Sequence, residues 1–436
     1  MTVTILEPAS EHISYSRSKE KDEDTGNGQT EENPVIASTE YAFQKTNLVH
    51  VSDDGVKIAA RYIYHNLKVR SYTPRTSRRS HPLHICPPEP FNPLDPFNKS
   101  VLDWTFLIAA LNFSFWSERA DEDRYGVEWR EGWEGAAAER MKVHTGYWSL
   151  VVALNRGEYC DVSNKLNLSK LAVADDGIPI TDPKFYSSDI LCPDSLIEHI
   201  FRPVEGCSET IPLLQSRIAI MREVGHILCM NFGGSFKGFM DAFQSRCNNE
   251  GTALQLVKMV TETFPSFRDE VWYEGRRVYL WKRAQILVAE TWAAFYPPSP
   301  PSPSNPHPLF PGPRGACIHQ LTMFADYRVP QILHHLRILE YPPSLLSLLH
   351  AGAALEYGSR EDLSLRSASI VAVERVREEI CCLMRENGED EDGVTSVLID
   401  FYLWDLAKEI ETGDGNVEGI QTVAVAPIHR TRSIWY

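Results

Sequence analysis

Apolar residues recur through most of this chain at the three- and four-residue spacing of an amphipathic helix, and that spacing marks out its elements. The stretch LDWTFLIAALNFSFW (102–116) is apolar on nearly every side and predicts a buried helix. Helical spacing also runs from Tyr147 to about Arg156, and through 188–201, 212–232, 253–264, 281–295, 344–358, 367–388 and 394–410. Phe232-Gly233-Gly234-Ser235-Phe236 predicts a tight helix-to-helix turn in which glycine supplies positive φ. LVHVSDDGVKIAARYIYHNL (48–67) reads as a short extended piece, a turn at Asp53-Asp54-Gly55 and an amphipathic helix. Two-residue alternation is confined to short pieces. VWYEGRRVYL (271–280), turning at Glu274-Gly275, predicts a β-hairpin, and 124–148 has room for another. The fold class expected is mainly α, with one or two small β-hairpins.

Where the periodicity fails, the composition says why. Residues 1–45 are polar, with the run SRSKEKDEDTGNGQTEEN, and are expected to be a disordered tail ahead of one domain over 46–436. Two insert loops are expected inside that domain, at about 157–177 and 297–315. The second is PPSPPSPSNPHPLFPGPRG; an exposed loop is the plainer expectation, and a docking segment for a polyproline-binding domain the sharper one. Residues 81–97 hold too many prolines for regular structure.

Charge narrows the chemistry. Lys and Arg number 43 against 59 Asp and Glu, a formal net charge of -16, which argues against a nucleic-acid polymer as partner. The nine cysteines form no C-x-x-C pair and lie in apolar runs, as buried thiols in a reducing compartment would. No stretch reaches the roughly 18 apolar residues of a membrane helix, so no membrane partner is expected. A cytoplasmic location, extending to the nucleus, follows. Phosphate-loop, H-E-x-x-H and G-x-S-x-G motifs are absent. His334 and His335 are adjacent and point to different helix faces, so neither a metal site nor a cofactor is expected.

Two stretches carry candidate chemistry. In Thr322-Met323-Phe324-Ala325-Asp326-Tyr327-Arg328-Val329-Pro330, Pro330 opens a helix and Asp326 stands just before its N-terminus, between two rings and an arginine. Asp326 is then either a plain helix-entry residue or a carboxylate facing developing positive charge. In Asp400-Phe401-Tyr402-Leu403-Trp404-Asp405, helical spacing puts positions 400, 401, 404 and 405 within an arc of about 140°. Two carboxylates on an otherwise apolar face are costly unless paired or facing a wet pocket. Lys282, Arg283, Arg276, Arg277, Arg430 and Arg432 are the cations from which a ligand phosphate could be met.

LNFSFW (111–116), GYWSL (146–150), FGGSF (232–236), FPSFRD (264–269), the 274–292 block, TMFADYRVPQIL (322–333), DFYLWD (400–405) and HRTRSIWY (429–436) together resemble the queuosine salvage protein family, the queuosine 5'-phosphate N-glycosylase/hydrolases. The likeness runs in order from about Val49 onward. It implies a helical fold similar to helix-hairpin-helix DNA glycosylases. It also implies hydrolysis of queuosine 5'-phosphate to queuine and ribose 5-phosphate, for reuse of queuine in tRNA modification. By the same resemblance Asp326 is the catalytic aspartate, Phe324 packs on the base, and Asp400, Phe401 and Asp405 recognise it. Phe401 stands where the family more usually has Tyr. A family histidine matches His84, with His81 as competitor, and Lys282 is expected at the phosphate. A DNA-repair glycosylase and a non-enzymatic helical interaction protein remain as the competing readings.

Overall fold

The computed structural model describes residues 32–119, 123–165, 177–389, 393–413 and 417–436, with backbone alone at 158–165 and 412. The first helix, α1 (Pro34–Thr46), lies where a tail was expected. Asn33 accepts the N–H of Val35 and Pro34 sits at the first helical position, so its start is well capped. Residues 1–31 of the expected tail lie outside the described residues. The next helix, α2 (Asp53–Val69), absorbs Asp53-Asp54-Gly55 as its first turn instead of a separate turn. Ser52 caps it by accepting the N–H of Gly55. A Cβ on Gly55 would lie 2.0 Å from the carbonyl oxygen of Arg337, so glycine is required by close packing and not by a turn.

The remaining helices are α3 (Pro74–Ser80), α4 (Phe97–Ala110), α5 (Gly135–Glu139), α6 (Tyr147–Lys165), α7 (Pro183–Tyr186), α8 (Asp194–Ile200), α9 (Leu214–Asn231) and α10 (Phe236–Arg246). They continue with α11 (Ala253–Thr263), α12 (Lys282–Ala294), α13 (Arg328–His335), α14 (Pro343–His350), α15 (Arg360–Glu386) and α16 (Ser396–Thr412). Helix α6 was expected to stop near Arg156; it continues to Lys165, and 166–176 of the expected insert lie outside the described residues. Helix α4 is buried on almost every side and packs against α9, α10 and α12. Along the other flank α15 runs between α1, α2, α13 and α16.

Strands are short and paired in twos. β2 (Gly126–Arg130) pairs antiparallel with β3 (Met141–Thr145), and β4 (Glu270–Tyr273) with β5 (Arg276–Tyr279), so both expected hairpins are present. Glu274 and Gly275 turn the second with positive φ at both, the conformation of a two-residue type I′ loop. β1 (His50–Val51) meets β6 (Leu339–Glu340) antiparallel, and β7 (Ala354–Leu355) meets β8 (Arg430–Thr431) in parallel.

The proline-rich insert is not uniformly exposed. Residues 298–306 face solvent, but His307 and Phe310 are buried, and His307 Nε2 pairs with the carbonyl oxygen of Trp292 at 3.0 Å. Its second half is therefore part of the packed domain.

Candidate active site

One cavity gathers the sequence-predicted site residues. Each helix that reaches it presents one face at helical spacing: Trp104, Thr105, Ile108, Ala109 and Asn112 from the α4 region, Lys282, Ile286, Glu290 and Ala293 from α12, and Asp400, Phe401, Trp404, Asp405 and Lys408 from α16. His81 and His84 enter from the proline-rich loop, Tyr147 from the start of α6, and Phe324, Asp326, Tyr327 and Arg328 from the lead-in to α13. All seven candidates line it.

Asp326 is held by the helix it precedes. Its Oδ1 accepts the N–H groups of Arg328 and Val329 at 2.8 and 2.9 Å. The helix begins at Arg328, two residues earlier than the Pro330 start expected, because these two amides are capped by that carboxylate. Among the described residues nothing donates to Oδ2, which leaves that oxygen for a ligand. The helix-entry reading of Asp326 therefore holds, and the same carboxylate also lines the cavity. Burial pushes its carboxyl pKa up, while Lys282, the two amides and Arg328 work the other way.

Asp400 differs in one respect. Its Oδ1 accepts the N–H of Phe324 at 2.9 Å, a single amide. Burial, and then the charge of Asp326, push its pKa well above the carboxylate range. Burial raises both carboxyls, and at Asp400 the neighbouring charge of Asp326 adds to that rise, whereas at Asp326 the charge of Lys282 opposes it. Between them Phe324 and Phe401 lie 6.1 Å apart, centroid to centroid, tilted by 55°.

Asp405 is already engaged. Its Oδ2 accepts the hydroxyl of Tyr72 at 2.5 Å and its Oδ1 pairs with His81 Nε2 at 3.1 Å. These contacts tie Asp405 to Tyr72 and to His81, which lines the same cavity. His81 lies 5.1 Å from His84, 5.3 Å from Trp148 and 5.5 Å from Trp404 between ring centroids, so both histidines of the loop belong to one aromatic wall. His84 Nε2 pairs with the Tyr147 hydroxyl at 3.0 Å. Burial and then the charge of Arg78 push the His84 imidazole well below its usual range. Among the described residues its Nδ1 is buried with no hydrogen-bond partner.

Lys282 is buried, and its Nζ donates to the carbonyl oxygen of Asn112 at 3.0 Å. It belongs to a set of cations on the exit of α4. Arg283 takes the carbonyl of Ala110, and Arg217 those of Leu111 and Phe113. Cations at a helix C-terminus are favoured by its dipole and by its unpaired carbonyls. Burial lowers the Lys282 pKa to about 8, and the charge of Asp326 is the largest influence opposing that fall.

Several site residues had no assignment from sequence. Arg78 ion-pairs with Glu290 at 2.5 Å. On the other side Glu411 bridges Arg328 at 2.7 Å and Lys408 at 2.6 Å. Against the upward push of its burial, those two cations hold Glu411 down to about 2. Continuing the α16 face one turn past Asp405 finds Lys408, and the spacing 282, 286, 290, 293 finds Glu290. Helical periodicity was the available signal for both. Glu411 falls on the same α16 face three residues further on, while Arg78 carries no such signal. His334 and His335 each pair with a backbone carbonyl, of Leu339 and Val423, outside the cavity.

A family model described as "Queuosine salvage protein" matches residues 93–436. A Schizosaccharomyces pombe protein named queuosine 5'-phosphate N-glycosylase/hydrolase is 35% identical over 409 residues, covering 92% of this chain and 99% of its own. A Bos taurus protein of the same name is 35% identical over 343 residues, 78% of this chain and 82% of its own. One from Sphaerobacter thermophilus is 30% identical over 403 residues, 92% and 97% respectively.

Proposed function

This chain belongs to the queuosine salvage protein family, and from that premise we propose that it hydrolyses the N-glycosidic bond of queuosine 5'-phosphate. Water and the nucleotide give queuine and ribose 5-phosphate, and the queuine returns to tRNA modification. The observation that carries the site assignment is Asp326: one oxygen fixed by two amides, the other unengaged, in a cavity walled by aromatic rings and a second carboxyl.

As the bond to the base breaks, the sugar takes on oxocarbenium character. A carboxylate with a preset orientation stabilises that charge and receives a proton from the attacking water, and two amides at a helix start keep Asp326 oriented for it. Queuine is a 7-deazaguanine and lacks the ring nitrogen through which purines are commonly protonated on leaving. Help for the leaving base must come through another edge. Asp400, held neutral, supplies an O–H donor for that edge, while Phe324 and Phe401 pack on its faces. With phenylalanine at 401, the hydroxyl of the more usual tyrosine is missing from this wall. The amine on queuine's side chain is cationic at neutral pH and suits a cavity with Glu290 and Asp405 on its wall. The 5'-phosphate is placed against the cationic side, where Lys282, Arg328 and Lys408 line the same cavity.

A free nucleotide rather than a nucleic-acid polymer fits the net charge of -16, and a cytoplasmic, or also nuclear, location fits such a substrate. No described helix is long and apolar enough to cross a membrane. A likeness to helix-hairpin-helix glycosylases is supported by the α9–α10 junction, where Gly233 and Gly234 take positive φ between two helices. Incubating the purified chain with queuosine 5'-phosphate and following queuine by chromatography tests the activity. No release of base would overturn it, and release from duplex DNA instead would favour the repair reading.

A further inference from the structure

Behind the cavity, and lining none of it, lies a fully buried ion pair between Asp269 and Arg366. Asp269 follows the short 3-10 turn Pro265–Phe267, and Arg366 sits on α15. The pairing is bidentate: Nη1 to Oδ1 at 3.1 Å and Nη2 to Oδ2 at 2.6 Å. What the pair does with its remaining capacity is specific. Arg366 Nε donates to the carbonyl oxygen of Ala325, the residue before Asp326, at 3.0 Å. Asp269 Oδ2 accepts the backbone N–H of Lys282, the first residue of α12, at 3.3 Å. The residue before α12, Trp281, is left-handed and offers no side-chain cap, so this carboxylate takes the cap's place. The guanidinium carbon also lies 4.0 Å from the ring centre of Tyr436, whose side chain lines the cavity.

We propose that Asp269 and Arg366 are positioning residues for the glycosidic reaction, a clamp that fixes the peptide before Asp326 and the peptide of Lys282 relative to each other. A buried ion pair is by itself weak evidence for stability, since desolvation offsets much of its attraction. This one reaches the backbone of Lys282, which lines the cavity, and of Ala325, the residue before Asp326, from chain segments that have no other covalent reason to hold a fixed separation. The charge of Lys282 acts on Asp326, so an error in their spacing is felt where the oxocarbenium forms. A displacement of roughly 1 Å in such a group costs on the order of 100-fold in rate.

The inference rests on the hydrolase reading above, and the test separates the two. Arg366→Lys keeps the charge but loses the fork and the Nε contact to Ala325; Asp269→Asn keeps the shape but loses the charge. Each is compared with the unaltered chain for folding by circular dichroism, for KM and for kcat on queuosine 5'-phosphate. The expected result is a native spectrum, KM within about threefold, and kcat lower by about 30- to 100-fold. A folded variant with unchanged kcat, or one whose whole loss lies in KM, overturns the proposal. Should both fail to fold, Tyr357→Phe removes only the hydroxyl that donates to Asp269 Oδ1 at 3.1 Å. It is then expected to lower kcat about threefold at constant KM, on the order of one lost hydrogen bond, and no change in kcat refutes the clamp. An unaltered chain that releases no queuine counts against the hydrolase reading instead.

Discussion

Asp326 and Asp400 are joined through the backbone of one residue. Phe324 donates its N–H to Asp400 Oδ1 at 2.9 Å, and its carbonyl accepts the N–H of Asp326 at 2.7 Å. The aromatic ring proposed to lie on the base is thereby fixed between the two carboxyls proposed to act on either side of the scissile bond. Moving either acid moves the ring.

Asp326→Ala is expected to lower queuine release by about 100- to 1,000-fold, the scale of removing one oriented electrostatic group. It also removes the acceptor that caps α13, a loss of about 1 kcal/mol, so the variant stays folded. Single-turnover chromatography of the released base measures the first and a thermal melt the second. An Ala variant of ordinary activity would sink the assignment.

Asp400→Asn separates the two carboxyls by charge. If Asp400 works as a neutral donor, the amide keeps both the acceptor for Phe324 and a donor for the base, and the loss stays below about tenfold. Asp326→Asn, which removes a charge the reaction uses, loses far more. Equal losses in the two Asn variants would show that both are needed ionised.

Lys282 is expected to set an alkaline limit. A lysine is cationic below its pKa, and burial brings this one down to about 8. As pH rises through that value the cation opposite Asp326 disappears, so kcat should fall between about pH 7 and 9. Lys282→Met should start lower and lose that limb. A pH–rate profile of the variant with the same alkaline fall would assign it to another group. The same variant also reports on the phosphate. If nucleotide and nucleoside lose rate in equal proportion, Lys282 serves Asp326 and not the phosphate.

Glu411 occupies Arg328 and Lys408 in the structure, where a dianionic phosphate would compete with it. Lys408→Ala is expected to raise KM for queuosine 5'-phosphate by about fivefold and leave KM for unphosphorylated queuosine unchanged; Glu411→Gln should lower the first and again spare the second. Lys408 is half-buried and Glu411 is exposed, so the folding cost of either change is small. KM values moving together for both substrates would remove these cations from the phosphate site.

What could be read from sequence followed from how local each signal is. The α16 face was legible because Asp400, Phe401, Trp404 and Asp405 repeat within two turns, and Asp326 because it stands just ahead of a proline-bearing helix start. The engagement of Asp405 was not, since its partners Tyr72 and His81 come from a distant part of the chain. For the same reason Lys282 read as a free cation: its acceptor, the carbonyl of Asn112, lies 170 residues away. Helix α1 was hidden by the polar composition of STEYAFQKT, because its place depends on packing against α15 and β5 and not on its own apolar periodicity. The proline run concealed His307 and Phe310, two anchors in a stretch whose prolines rule out a regular helix or strand.

Those anchors give the exposed arm at 298–306 a practical use. It leaves the domain at the end of α12 and is fastened again by His307 on the carbonyl of Trp292, so its two ends stay close together whatever lies between them. An epitope, a fluorophore or a surface-attachment peptide could be spliced there without loading the cavity wall. The chain could then be immobilised in a known orientation and supplied with nucleotide while base release is watched in real time.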